Sequence, residues 1–247
     1  KVGRVKIVLH REVIGKIKTV TISKDSVGKY YASVLMDDDS VTPDPLKHIE
    51  SSVGLDMGIH DFVTTSDGEK VANLRFLKRG LKNLKRKQQS LSRKKKGSNS
   101  AKAKLLVAKV HKRVADARND FQHKLSHTLA NENQVVCVED LNIKGMTANR
   151  KLARHIQDLG WNSFTTKLGY KLADRAGTLV KIGRFYPSSK TCSFCGYKLE
   201  ALPLNIRSWT CQDCGSHHDR DVNAAINIQQ QGILKLKAEG FTVSASG

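Results

Sequence analysis

Through the first fifty residues apolar and polar positions alternate with period two, the pattern of half-buried strands. Val5, Ile7 and Leu9 follow it, and Val2 to Leu9 reads as a strand; Val20 and Ile22 begin another, and Asp25-Ser26-Val27-Gly28 turns the chain into Tyr30 to Met36. Asp37 to Asp39 with Pro43 and Pro45 then mark a boundary near residue 50. A second strand run covers Val53 to Ile59 and Asp61 to Thr65, with Ser66-Asp67-Gly68 as its hairpin turn. From about residue 72 the period turns helical. Leu74, Leu77, Leu81, Leu84 and Leu91 lie on one face, and Gly97-Ser98-Asn99-Ser100 interrupts. Leu106, Val110, Val114, Ala117, Phe121, Leu125 and Leu129 mark a second long helix, so residues 72–131 predict an antiparallel helical hairpin. Val135 to Val138 is an apolar run ending in Glu139-Asp140, as in a buried central strand with carboxylates at its tip. An amphipathic helix through Trp161, Phe164, Leu168 and Leu172, stopped by Gly177, precedes a strand over Thr178 to Phe185. A small-residue helix from Asp221 to about Leu236 closes the pattern. The fold class is α/β.

Charge sharpens this picture. Lys and Arg number 43 against 23 Asp and Glu, a net charge of +20 in 247 residues. Such an excess suits a polyanion, because each neutralised phosphate releases condensed counterions. Charge alone separates neither DNA from RNA nor either from an acidic membrane. The predicted hairpin is lopsided: from Lys70 to Ala115 there are 17 Lys or Arg and no acid. Lys78, Arg79, Lys82, Lys85, Arg86, Lys87, Lys109, Lys112 and Arg113 on its helices are candidate phosphate contacts, with Lys190 further along. Lys94, Lys95 and Lys96 are candidates too, although that run reads equally as a solvated loop tip. No stretch approaches the roughly 20 apolar residues of a membrane span, and no signal-peptide pattern opens the chain. Lys1 is not an initiator Met, so the chain is expected to begin inside a longer protein.

Four of the five cysteines form Cys192-x2-Cys195 and Cys211-x2-Cys214. Each pair suits a tight knuckle presenting two thiolates, with Gly196 and Gly215 following where such turns want an unhindered backbone. Four thiolates close a tetrahedral zinc shell and leave no open catalytic position. One structural zinc is expected; two disulfides or a redox pair are the alternatives. His217 and His218 stand nearby, but the cysteines already fill the shell, so both are expected to be solvated or phosphate-facing.

Three acids form a second, dispersed constellation. Asp56 interrupts an apolar strand, Glu139 ends another, and Asp221 opens a helix. Singly, each has an ordinary reading: a turn residue, a surface acid and an N-cap. Converged, they supply an oxygen cage for two Mg²⁺ ions able to activate water and stabilise a leaving 3′ oxygen, leaving a 5′ phosphate.

Gly54-Leu55-Asp56-Met57-Gly58, Val138-Glu139-Asp140-Leu141 and Asp219-Arg220-Asp221-Val222-Asn223-Ala224-Ala225 resemble the three RuvC segments of the TnpB family, transposon-encoded relatives of type V CRISPR effectors. Pro187-Ser188-Ser189-Lys190-Thr191-Cys192, with the ribbon set before the third segment, is similar to that family as well. So is the opening, with His10-Arg11 and Gly15-Lys16-Ile17-Lys18, which resembles the end of its wedge β-barrel. The resemblance implies an RNase H-like RuvC core with an inserted basic helical hairpin and a C-terminal zinc ribbon, preceded by part of a wedge barrel. The implied boundaries are 1–50 for the wedge part, 51–191 for the nuclease core, 192–214 for the ribbon, and 215–247 for the third segment and tail. It further implies a cytoplasmic, nucleoid-associated, prokaryotic DNA endonuclease guided by RNA from the transposon end, with Asp56, Glu139 and Asp221 catalytic. An unguided RuvC-type resolvase, a DNA transposase, or a non-catalytic nucleic-acid-binding fragment are the alternatives. The family's N-terminal part, which reads the target-adjacent motif and grips guide RNA, is not in this sequence.

Overall fold

The structure is a computed structural model that describes residues 5–10, 12–95, 97 and 99–244, residue 151 by its backbone only. Lys96, a candidate phosphate contact, lies outside the described residues, as do Val2 and Arg11. By internal contacts the chain forms two compact units, residues 1–41 with 84–112 and residues 42–83 with 113–247.

The first unit holds strands β1 (Lys16–Lys24) and β2 (Tyr30–Asp37), paired antiparallel from Lys16 opposite Asp37 to Lys24 opposite Tyr30. The Asp25 to Gly28 turn forms as the sequence predicts: Asp25 Oδ1 accepts from the backbone N–H groups of Val27 (2.9 Å) and Lys29 (2.8 Å). Residues 5–9, expected to be a strand, are not in one. Alternation gives them strand character, but among the described residues no neighbouring segment supplies the ladder that a strand needs.

The second unit is built on a five-stranded sheet. After the short β3 (His48–Ile49) come β4 (Ser52–Asp56), β5 (Asp61–Thr65) and β6 (Lys70–Ala72), then later β7 (Val135–Glu139) and β8 (Thr178–Ile182). Their order is β6-β5-β4-β7-β8, antiparallel on the β6 side and parallel from β4 through β7 to β8. The Ser66 to Gly68 turn closes through Gly68 N–H to the Thr65 carbonyl (3.1 Å). Between β6 and β7 run helices α1 (Phe76–Ser92) and α2 (Ser100–Glu132). Residue 72 is therefore strand, and the helix begins at Phe76. Its start is held by Asp158, whose carboxylate accepts from Leu77 N–H at 3.0 and 3.1 Å.

Helices α3 (Ile143–Ala148), α4 (Arg150–Leu159) and α5 (Trp161–Ala173) follow β7. Ile156, Leu159, Trp161, Phe164, Leu168 and Leu172 join Val53, Leu55, Phe62 and Val136 in the main core, where Phe62 meets Phe121 and Phe164 edge-on, ring centroids 5.1 Å apart. Past β8 the segment with the four paired cysteines carries the short pair β9 (Ser208–Thr210) and β10 (His217–Asp219). Then comes α6 (Arg220–Ala238), and β11 (Thr242–Val243) pairs parallel with β3.

α6 covers the sheet at close range because the facing positions are small. A Cβ on Gly54 would collide with the Ala225 carbonyl oxygen, and one on Gly232 with the Cys137 sulfur. Cys137, the fifth cysteine, is buried in that contact, which pushes its thiol up to about 12. Gly54→Ala must shift backbone, and overpacking of this kind typically costs about 2 kcal/mol. Its melting temperature should fall measurably below that of the native chain.

Candidate active site and thiolate centre

Asp56 and Glu139 are the last residues of β4 and β7. The two strands are parallel, with Leu55 opposite Val138, so their carboxyl ends bring Asp56 and Glu139 side by side at one end of the sheet. Val53, Leu55, Val136 and Val138 are fully buried, which fixes which way the strands face and holds both acids at the core's edge. α6 packs across β4 and delivers Asp221 from its first turn. All three acids line one cavity of about 430 Å³, rimmed by Arg184, Tyr186, Lys190, Leu204 and Arg207.

The electrostatics of this cavity are those of crowded carboxylates. Burial, followed by the charges of Glu139 and Asp221, pushes Asp56 up to about 7, with Arg220 and Arg207 opposing. Burial also raises Glu139, offset by Ser188, whose Oγ donates to Glu139 Oε1 at 2.5 Å. Arg207 Nη1 reaches Asp221 Oδ1 at 3.5 Å. Three acids held this way suit hard divalent cations, whose charge would relieve the repulsion.

The neighbouring acids are occupied elsewhere. Asp140 pairs with Arg184 (2.7 Å). Asp219 is the N-cap of α6, accepting from the N–H groups of Asp221 (3.0 Å) and Val222 (3.1 Å) and pairing with Lys70 at 2.6 Å. Although burial pulls the other way, Lys70 and these N–H groups hold Asp219 below the usual carboxylate range. The ordinary reading of Asp221 as an N-cap is therefore corrected: Asp219 takes that role, which frees Asp221 for the cavity.

Sequence patterns missed the groups that hold this end of the sheet together. Asn223 Nδ2 donates to the carbonyls of Ser188 (3.4 Å) and Thr191 (2.8 Å), and Asn227 Nδ2 to the same two at 2.8 and 2.6 Å. Two buried asparagines one turn apart, beside Ala224, Ala225 and Ile228, were the available signal.

The four cysteines converge. Their sulfurs all lie within 4.8 Å of one another, with Cys192 to Cys214 at 3.7 Å and Cys195 to Cys211 at 3.6 Å. A tetrahedral ion with Zn–S bonds of about 2.3 Å requires sulfur–sulfur edges of about 3.8 Å, so the cluster could hold one zinc ion. Gly196 (φ 81°) and Gly215 (φ 74°) take left-handed conformations at the knuckles, donating to the Cys192 and Cys211 carbonyls at 2.9 and 3.1 Å. His218 departs from expectation. Its Nε2 lies 3.1 Å from the Cys192 sulfur and its ring packs on Trp209, so it faces the thiolates rather than solvent.

The candidate phosphate contacts divide. Lys78, Arg79, Lys82, Lys85, Arg86, Lys94, Lys95, Lys109 and Arg113 are exposed, and Lys87 is half-buried. Lys112 is committed within its unit, 3.4 Å from Asp25 and over the Tyr31 ring. Lys190 donates to the Glu200 carbonyl (2.9 Å) on the cavity rim. Among the described residues no helix is long and apolar enough to cross a membrane.

Known proteins resemble this chain along most of its length. A family model described as "Probable transposase" (OrfB_IS605) matches residues 32–150, and one described as "Cas12f1-like, TNB domain" matches residues 161–228. The "Putative RNA-guided DNA endonuclease" of Streptomyces pristinaespiralis is 47% identical over 87% of this chain and 53% of its own length. InsQ of Escherichia coli K12, named likewise, is 32% identical over 92% of the chain and 59% of its own length. The TnpB-like protein L79 of Acanthamoeba polyphaga mimivirus is 31% identical over 87% and 44%. The chain thus spans about half the length of these relatives. A solved Cas12f1–sgRNA–target DNA complex shares the fold, with TM-score 0.54 and 17% identity over 85% of this chain and 55% of the other.

Proposed function

Because the chain belongs to the TnpB family, we propose that it is the catalytic portion of an RNA-guided DNA endonuclease of the RuvC type. The observation that carries this is the convergence of Asp56, Glu139 and Asp221 on one cavity. A sheet of order β6-β5-β4-β7-β8, parallel from β4 onward and crossed by α6, supports reading residues 51–191 and 215–247 as an RNase H-like core. Residues 192–214 are then its zinc ribbon, and β1–β2 part of a wedge domain over residues 1–50.

In this reading the three carboxylates would hold magnesium, which would supply Lewis-acid activation of water and charge relief for a departing 3′ oxygen. The chain's own residues do the rest. Asp56 and Glu139 present oxygens from adjacent strand ends, and α6 completes the set with Asp221. Arg184, Lys190 and Arg207 on the rim attract the phosphate backbone. Target DNA and a guide RNA, in this reading from the transposon end, are the proposed partners; the relatives' names as RNA-guided DNA endonucleases support DNA and an RNA guide. The test is Mg²⁺-dependent cleavage of guide-matched DNA by the RNA-loaded, full-length protein.

The description of the matching family as a transposase raises a second reading, strand joining. End-labelled substrate distinguishes them: hydrolysis gives free 5′-phosphate ends, whereas transfer gives a joined, longer product.

The hairpin's exposed cations make a further prediction. Reversing Lys94 and Lys95 to Glu should weaken nucleic-acid binding and flatten the slope of log K against log salt by about one for every phosphate no longer neutralised. A salt titration by fluorescence anisotropy reads it. An unchanged slope would assign the run to a solvated loop tip.

A further inference from the structure

Ser188 holds one of the three candidate carboxylates, Glu139, and is itself anchored on several sides. It is only 6% exposed, and its Oγ donates to Glu139 Oε1 at 2.5 Å, a separation typical of an O–H group on an ionised carboxylate. Its backbone is fixed from three sides. Ser188 N–H donates to the Tyr186 carbonyl (2.9 Å), and its own carbonyl accepts from both Asn223 and Asn227. The same two amides bind the Thr191 carbonyl, and Asn223 Oδ1 accepts from Ser193 N–H at 2.9 Å. Both asparagines are 1% exposed, so each amide is committed to these partners. Glu139 lines the cavity, and its Oε2 takes no hydrogen bond from the described residues.

Resting on the metal-site reading above, we propose that Ser188 is a positioning residue for Glu139. Locked to α6 through Asn223 and Asn227, it holds one carboxylate oxygen so that the other is aimed at the divalent cations. A glutamate at a strand end otherwise samples several rotamers, and a metal must freeze them at an entropic cost when it binds. With Oε1 already held, part of that cost is met before the ion arrives, which is preorganisation of a ligand through its supporting hydrogen bond. The same helix supplies Asp221, so one element sets the positions of two candidate ligands.

The test is a Mn²⁺ titration of the zinc-loaded chain, bound ion being followed by electron paramagnetic resonance. Native chain, Ser188→Ala, Ser188→Thr and Asp56→Ala are compared, with zinc content and melting temperature as folding controls. Ser188→Ala is expected to weaken Mn²⁺ binding about tenfold, the range found when groups supporting a metal ligand are removed. Zinc content should stay at one, and Ser188→Thr, which keeps the hydroxyl, should recover most of the affinity. In cleavage by the full-length complex, the Mg²⁺ concentration for half-maximal rate should rise similarly while the rate at saturating Mg²⁺ changes less. Equal Mn²⁺ affinity in native and Ser188→Ala chains would overturn the inference. So would a loss that Thr does not recover while Ala stays folded. If the native chain shows no Mn²⁺ site sensitive to Asp56→Ala, the metal-site reading itself fails, a distinguishable result.

Discussion

Replacing Asp56, Glu139 or Asp221 singly with Ala should reduce cleavage by the RNA-loaded, full-length protein at least about a thousandfold, equivalent to roughly 4 kcal/mol of lost transition-state stabilisation. Each change removes a proposed metal ligand and a negative charge from one cavity, so the three losses should not add. Binding to nucleic acid should persist, because the exposed cations of α1 and α2 are untouched. Asp140→Ala and Asp219→Ala should retain metal-dependent cleavage, since those acids are spent on Arg184 and on the α6 N-terminus. Gel-resolved single-turnover kinetics reads both sets. The same acids should cost stability in the metal-free chain. With Asp56 raised to about 7, the native state binds a proton that the unfolded chain has released, so stability falls as pH rises from about 4 to 7. Asp56→Asn lacks that penalty. It should melt higher than the native chain at pH 8 without divalent ions, and the gain should vanish near pH 4.

Removing zinc should have the second large effect. Residues 196–210 contribute few core side chains: the ribbon's cluster is Trp209 with Cys192 and Cys211, supported by Leu199 and Leu202. So small a core is expected to depend on a metal, and structural zinc contributes on the order of 10 kcal/mol to folding in isolated zinc modules. Cys211→Ser, or treatment with a strong chelator, should take zinc content from one per chain to none and disorder the ribbon. The effect should reach the cavity, because Leu204 and Arg207 line it and the Thr191 carbonyl, beside Cys192, is held by Asn223 and Asn227. Cleavage should therefore fall while the far-ultraviolet signal of α1 and α2 persists.

Elements with a strong period or a dedicated chemistry were legible in the sequence. The alternation through Ile22 and Tyr30, the apolar run into Glu139, the leucine spacing of α1 and the cysteine pairs each produce one local structure. Residues 5–9 show the limit. Alternation there satisfies a strand's side-chain rule but says nothing of a partner for its backbone. β3 and β11 are two residues each and pair across most of the chain, with no local pattern to announce them. α4 went unread although Leu152, Ile156 and Leu159 share a face, because charged residues dominate the segment. At the candidate site, the acids stood out as charges at the ends of apolar runs. Ser188, Asn223 and Asn227 did not, since a small polar residue reveals its role only when its partner, far away in sequence, is placed beside it. The assignment of N-cap to Asp219 was open for the same reason: in Asp219-Arg220-Asp221 either acid could begin the helix.

Whether Asp56, Glu139 and Asp221 together bind divalent metal is best decided by anomalous diffraction at the manganese edge, from crystals grown with Mn²⁺. Manganese density coordinated by oxygens of all three residues is expected, with a separate zinc-edge peak at the four cysteine sulfurs. Manganese held instead by Asp140 or Asp219, or no manganese in the cavity at saturating concentration, would contradict the shared site.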